Sequence, residues 1–171
     1  MKIQPVTPEH HARVYALLRA AFPGSNYEAA LVQQLHAHGR PLQEWVAIHT
    51  NKVIAYLAFS RAFQGSTVCG LHLAPMAVAP DFQQQGVGSE LLRFALRQEK
   101  IRSQPLFVLG APGYYRRFGF EPCAVPICPY DKNNAHFLSM RNTATGSFVV
   151  GYEPEFKTAT QAPRPAAKKR R

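Results

Sequence analysis

One short stretch constrains this chain more than any other: Asp81-Phe82-Gln83-Gln84-Gln85-Gly86-Val87-Gly88-Ser89-Glu90. The apolar run from Gly70 to Ala79 before it reads as a strand. A helical pattern begins near Val87 after it. A strand, a tight glycine loop and a helix N-terminus together make an anion site. The N–H groups of the first helical turn have no intrahelical partner, and the helix dipole favours negative charge there. Gly86 and Gly88 let the backbone come close to a ligand and take conformations closed to other residues. The stretch reads as a pyrophosphate cradle. It is not the dinucleotide fingerprint, whose third glycine would fall at Leu91, and no Gly-Lys-Ser/Thr of a nucleotide-triphosphate loop follows.

The preceding strand contains Pro75. Proline cannot donate to a sheet ladder, so a central strand carrying it should bulge or part from its neighbour there. The pattern Val87, Leu91, Leu92, Ala95, Leu96 gives the next helix one apolar face. The run Pro105–Gly110 then reads as a short, fully apolar strand. Strand, helix, strand implies a parallel pair with a right-handed crossover, and ligands bind at the carboxyl ends of such strands. Tyr114 and Tyr115 lie just beyond one of those ends.

Gln83-x-x-Gly86-x-Gly88 resembles the acetyl-CoA loop of the GNAT N-acetyltransferases. Tyr115-Arg-Arg-Phe-Gly119-Phe120 resembles that family's Tyr-x-x-x-Gly-Phe signature. The two occur in the expected order, about one helix and one strand apart. Leu109-Gly110, Tyr114-Tyr115 and Tyr152-x-Pro154-x-Phe156 look like the YhbS-like branch, and the resemblance covers roughly residues 1–157. It implies an α/β (α+β) GNAT fold: a central, mostly antiparallel mixed sheet with a splayed parallel strand pair and about four helices. It implies that acetyl-CoA binds as cosubstrate with no metal. The amides from Gln84 through Gln85, Gly86, Val87 and Gly88 to Ser89 would hold the pyrophosphate, with Gln83 bracing the loop. The backbone of Met76, Ala77 and Val78 would pair with the pantetheine arm. A backbone N–H of Met76 or Val78 would face the oxyanion, and Tyr115 would protonate the departing sulfur. His72 falls, counted back from Gln83 without gaps, where histone acetyltransferases of this superfamily carry a catalytic Glu, which makes it the candidate base. Arg93 and Arg97 are candidates for the ribose phosphate. Tyr27, Glu28 and His36 could face the acceptor, as could Tyr114. One departure stands out: many relatives have an Asn at the end of the second splayed strand, where this chain reads Gly110-Ala111-Pro112-Gly113.

Elsewhere the pattern is consistent with that fold. Residues 2–6 read as a strand. Thr7-Pro8-Glu9 starts a helix, and Val14, Leu17, Leu18, Ala21 and Phe22 recur at helical spacing. Asn26 caps a second helix that Gly39 ends. Residues 44–49 and 53–59 form a hairpin about Thr50-Asn51-Lys52. Residues 111–117 form a short helix. His136–Arg141 and Ser147–Tyr152 are expected to close the sheet as a final pair.

The chain has 171 residues, 46% hydrophobic and 18% charged, which suits one domain. The expected division is a folded domain at 1–157 and a basic tail at 158–171. No apolar run reaches about 18 residues and no signal-peptide core opens the chain, so the expected compartment is the cytoplasm, with no membrane partner. Cys69, Cys123 and Cys128 form neither an even disulfide set nor a zinc pattern. The net charge is +10, part of it in the tail. No stacking aromatics interleave with those charges, which disfavours nucleic acid while leaving the tail as a route to RNA. Two functions follow: an N-acetyltransferase acting on a primary amine of unknown identity, or a non-catalytic acyl-CoA-binding module recruited to RNA or an acidic partner. A monomer and a homodimer fit equally.

Overall fold

Alternating and continuous apolar runs set the sheet, and the turns between them carry the residues their geometry requires. The computed structural model describes residues 1–131 and 133–159. Strand β1 (Lys2–Pro5) leads through a 3₁₀ turn to helix α1 (His11–Ala21), followed by α2 (Tyr27–Ala37). Strands β2 (Gln43–His49) and β3 (Lys52–Gln64) form the expected hairpin. Thr50 and Asn51 both take positive φ, 46° and 61°, as in the two-residue turn whose twist matches its strands. Then come β4 (Thr67–Val78), α3 (Val87–Leu96), β5 (Leu106–Leu109), α4 (Pro112–Tyr115), β6 (Glu121–Pro122), β7 (Phe137–Met140) and α5 (Glu155–Thr158).

The seven strands form one sheet in the order β1-β2-β3-β4-β5-β7-β6. Every pairing is antiparallel except β4 with β5. That parallel ladder covers only Leu71–Leu73 against Leu106–Val108. Its end has a direct cause. Leu71 N–H donates to Pro105 C=O at 2.9 Å, and strand alternation puts the next donors on that side at positions 73 and 75. Position 75 is proline, which has no N–H. The β3–β4 register then slips: Phe59 faces Leu73, but Leu57 faces Met76. Pro75 thus both stops the ladder and sits in a bulge.

The sheet is covered on both faces. Helix α3 buries Leu91, Leu92 and Ala95 against Leu57, Phe59, Leu73, Leu106 and Val108. On the other face α1 and α2 bury Val14, Leu18 and Val32 against Val46, Tyr56, Ala58 and Ala77. No described helix is long and apolar enough to cross a membrane. The three cysteines are free thiols.

One expectation about the C-terminal part needs correction. Residues 147–152 do not pair with β7. Gly151 exchanges two hydrogen bonds with Phe63 at the end of β3, 2.7 and 3.0 Å, and Val150 and Phe148 bond to Ile127. The outer edge of β7 is taken instead by β6. Among the described residues there are five α-helices, the last of them α5, which extends one residue past position 157. Ala159 packs with Leu31, Leu35 and Phe156. Residues 160–171, the rest of the expected tail, lie outside the described residues. Two buried carboxylates fasten this segment. Glu153 takes a bidentate pair from Arg61, at 3.0 and 3.1 Å. Glu155 accepts from Arg40 Nε at 2.7 Å and from His38 Nδ1 at 2.8 Å. Burial raises the Glu155 carboxyl pKa, but these two bonds outweigh it and leave the group below its ordinary value.

Candidate active site

A groove of about 560 Å³ lies where β4 leaves β5. One wall is Met76, Ala77 and Val78. Another is the loop and first turn of α3, with Gln83, Gln84, Gly86, Val87, Gly88 and Ser89. Gly86 caps α3 with φ 81°, a left-handed conformation that costs other residues roughly 1–2 kcal/mol. The first intrahelical bond runs from Glu90 N–H to Gly86 C=O, 3.0 Å. The N–H groups of Val87, Gly88 and Ser89 precede it and have no helical acceptor. Gln83 Nε2 donates to Val78 C=O at 3.0 Å, and Gln85 Nε2 to Asp81 C=O at 2.9 Å. These bonds tie the loop to the strand end and to itself.

The strand wall is equally directed. Ala79 N–H donates to Ile54 C=O of β3 at 2.8 Å. Alternation then turns the N–H groups of Val78 and Met76 away from β3, toward the gap. The bulge at Pro75 sets this phase. Without it, residues 76 and 78 would donate to β3.

Tyr114 and Tyr115 close the groove from α4. The Tyr115 ring lies against Gly110, where a Cβ would stand 2.5 Å from its Cε2. Burial, and secondarily the neighbouring Tyr114, pushes the Tyr115 phenol up to about 12, so it keeps its proton at physiological pH. Tyr114 lines this groove, with its Oη 3.3 Å from Ser89 Oγ.

On the other side of the break lies a second cavity, of about 350 Å³. His72, Leu73, Ala74 and Pro75 of β4 line it, with Tyr27 and Glu28 of α2, Phe107 and Leu109 of β5, and Tyr130, Tyr152 and Phe156. His72 is 1% exposed. Its ring stacks on Tyr152 at 3.6 Å, and Nε2 lies 2.9 Å from Gly151 C=O. A carbonyl can only accept, so Nε2 carries the hydrogen and Nδ1 is a bare lone pair. That Nδ1 has no partner among the described residues. Burial pushes the imidazole down to about 4, so it is neutral at physiological pH and only weakly basic.

The structure redistributes several expected roles. Tyr27 and Glu28 line the second cavity. His36 does not: it bonds to Glu44 of β2 at 2.9 Å and to Tyr15 at 2.6 Å and stacks on His11. His11, His36 and Glu44 have ligand atoms within 4.8 Å of one another, but Glu44 already accepts from His36 and from Tyr56 Oη at 2.6 Å. Of the expected arginines, Arg93 lies over the Phe118 ring at 5.1 Å, and neither it nor Arg97 lines the groove. Arg117 does, with its guanidinium 4.8 Å from the Tyr114 ring centroid and Nη2 3.5 Å from Ser89 Oγ. Its spacing of three from Tyr114, one helical turn, was the available signal. Tyr152 and Phe156, the cavity's C-terminal wall, stood out in the sequence only as part of the Tyr152-x-Pro154-x-Phe156 marker, because the segment reaches the cavity through pairings across the fold. At the missing Asn, the Gly110 N–H is engaged by His136 C=O at 2.9 Å.

The sequence profile of the acetyltransferase (GNAT) domain matches residues 41–122. The Escherichia coli K12 protein named uncharacterized N-acetyltransferase YjhQ is 39% identical over 107 residues, 59% of this chain and 59% of that protein. The E. coli K12 protein named uncharacterized N-acetyltransferase YhbS is 34% identical over 127 residues, 72% of this chain and 75% of that protein. The E. coli YhbS structure in complex with CoA superposes with a TM-score of 0.82 at 29% identity, covering 91% of each chain. A GNAT acetyltransferase from Brucella melitensis in complex with acetyl-CoA gives 0.75 at 27%, covering 91% of this chain and 97% of that one. A profile over the strand-loop-helix core, relatives that match beyond it and a shared architecture agree: the chain belongs to the GNAT N-acetyltransferase family.

Proposed function

We propose that the protein transfers an acetyl group from acetyl-CoA to a primary amine by direct attack. The observation that carries this reading is the break between β4 and β5. It joins two N–H groups, Met76 and Val78, to the open first turn of α3 on one side and a separate cavity on the other. In this reading the amides from Gln84 to Ser89 hold the pyrophosphate. The backbone of Met76, Ala77 and Val78 pairs with the pantetheine arm, and Met76 or Val78 N–H stabilises the oxyanion as the amine adds to the thioester carbon. The C–S bond then breaks, and Tyr115 acts as general acid, donating its phenolic hydrogen to the departing sulfur; the proton that the nitrogen sheds as the amide forms passes through solvent and restores the phenol. The complexes of E. coli YhbS with CoA and of the Brucella protein with acetyl-CoA support this choice of cosubstrate.

His72 enters as a hydrogen-bond acceptor for the attacking amine, not as a strong base. With its imidazole near 4, it leaves the amine to reach the site already neutral. A lysine-like amine with a pKa near 10.4 is neutral about once in a few thousand at pH 7, a cost of roughly 4–5 kcal/mol. The pH profile should therefore belong to the substrate. His72 near 4 and Tyr115 near 12 keep one protonation state each between pH 5 and 9. Over that window kcat/KM is expected to rise about tenfold per pH unit below the amine's pKa. Two amines differing by two pKa units should give limbs displaced by two units; coincident limbs would require a titrating side chain instead.

Two measurements test the whole reading. Calorimetric titration with acetyl-CoA should show saturable binding, and thiol release over an amine panel should show turnover. Binding with no release on any amine would favour a non-catalytic acyl-CoA-binding module, and no binding would remove both. Arg117→Ala is expected to weaken acetyl-CoA binding about fivefold at low salt and less at high salt, since its target would be an exposed phosphate. An equal loss at both ionic strengths would rule out that contact.

A further inference from the structure

The second cavity carries information about the acceptor that the fold does not. Its walls are mainly rings and aliphatic side chains: Tyr152 stands 5.1 Å from Tyr130 and 5.0 Å from Phe156, centroid to centroid. Most of its polar atoms are already engaged. Tyr27 Oη donates to Phe156 C=O at 2.9 Å, and Tyr152 Oη lies 3.6 Å from Cys128 Sγ. Three groups remain for a ligand. One is His72 Nδ1, a buried lone pair without a partner among the described residues. Another is the phenol of Tyr130 at the half-exposed end. The third is Glu28, the sole charged group among the described lining residues, one of whose oxygens accepts from Ser25 Oγ at 2.7 Å.

Each polar group on the ligand must find a partner here or lose its hydration uncompensated. A polyamine would bring two or three ammonium groups to one carboxylate. A polyhydroxylated amine would bring several hydroxyls to a mainly apolar wall with few polar partners for them. A free amino acid would set its carboxylate in an apolar cavity whose only ionised group is also negative. A hydrocarbon ring meets none of these costs and gains the aromatic walls. The volume, near the small end of ligand pockets at roughly 300–1,000 Å³, suits a compact molecule.

Building on the acetyl-transfer reading, we infer that the acceptor is a primary amine carried on a compact apolar, ring-bearing body without a carboxylate. The ring packs among Tyr130, Tyr152, Phe156 and Phe107, and the amine end is met by His72 Nδ1 and Glu28. His72 has a positioning role in this arrangement: it fixes one N–H of the amine and leaves the nitrogen lone pair for the thioester.

The test uses four probes under saturating acetyl-CoA: 2-phenylethylamine, phenylalanine, spermidine and a lysine-containing peptide, each followed by thiol release. The expected kcat/KM for 2-phenylethylamine is at least tenfold above each of the others. Calorimetric binding of 2-phenylethylamine to the enzyme–CoA complex gives a readout independent of turnover. Tyr130, half-exposed at 50%, can be removed with little risk to folding. Tyr130→Ala should raise the Kd for 2-phenylethylamine about fivefold and leave acetyl-CoA binding unchanged. Spermidine, phenylalanine or the peptide as the best substrate would overturn the inference and leave acetyl transfer standing. Binding of 2-phenylethylamine, weakened by Tyr130→Ala but without thiol release, would overturn acetyl transfer and support the cavity's ligand class. No binding of 2-phenylethylamine would overturn the inference whatever the turnover.

Discussion

Replacing Tyr115 with Phe is expected to lower kcat about 100-fold while the Kd for acetyl-CoA stays within about twofold. The phenol would act only while the C–S bond breaks, so its loss should fall on the chemical step, where a positioned acid contributes roughly 10²–10⁴. Phe keeps the ring against Gly110 and Phe120 and removes only the oxygen. Gly110→Ala provides the complementary perturbation: its Cβ would stand 2.5 Å from Tyr115 Cε2, which forces the ring to move while the hydroxyl remains. Both variants should lose kcat. Full activity in Tyr115→Phe would remove the phenol from the mechanism. Loss of acetyl-CoA binding in that variant would make Tyr115 a packing residue.

The second large effect concerns stability. Arg61→Ala should destabilise the protein by roughly 3–5 kcal/mol, because it strands the Glu153 carboxylate, 2% exposed, without its bidentate partner. At this size that is a fall of about 10 °C in Tm. Glu153→Ala should cost clearly less, since the Arg61 side chain it leaves behind is one-third exposed and can turn to solvent. Glu153 directly follows Tyr152, so Arg61→Ala should also loosen the cavity wall and raise KM for the amine more than for acetyl-CoA. Thermal unfolding of the two variants side by side checks the order. Equal losses would show that the pair contributes by packing rather than by charge.

The groove was largely legible because its parts lie close together in the chain. Gln83 to Ser89 span one loop and one helical turn, and Pro75 lies eight positions before Gln83. Met76 and Val78 follow from strand alternation once the proline is placed. Arg117 was missed in favour of Arg93 and Arg97, because exposed helix arginines on α3 and an arginine beyond α4 read alike until the two helices are set side by side. The C-terminal pairing was missed for a related reason. Residues 147–152 have the composition of a strand, but several partners compete for such a segment, and Phe63 and Ile127 won over β7.

Short-range chemistry therefore determined the glycine loop before α3, the hairpin turn and the interruption of the central strand, since each depends on φ preference or a missing donor within a few residues. The tertiary structure alone decided the second cavity. His72 became a weak base only when Gly151 and Tyr152 closed over it, 79 and 80 positions away in the chain, and the desolvation that sets its basicity belongs to that contact, not to the residue.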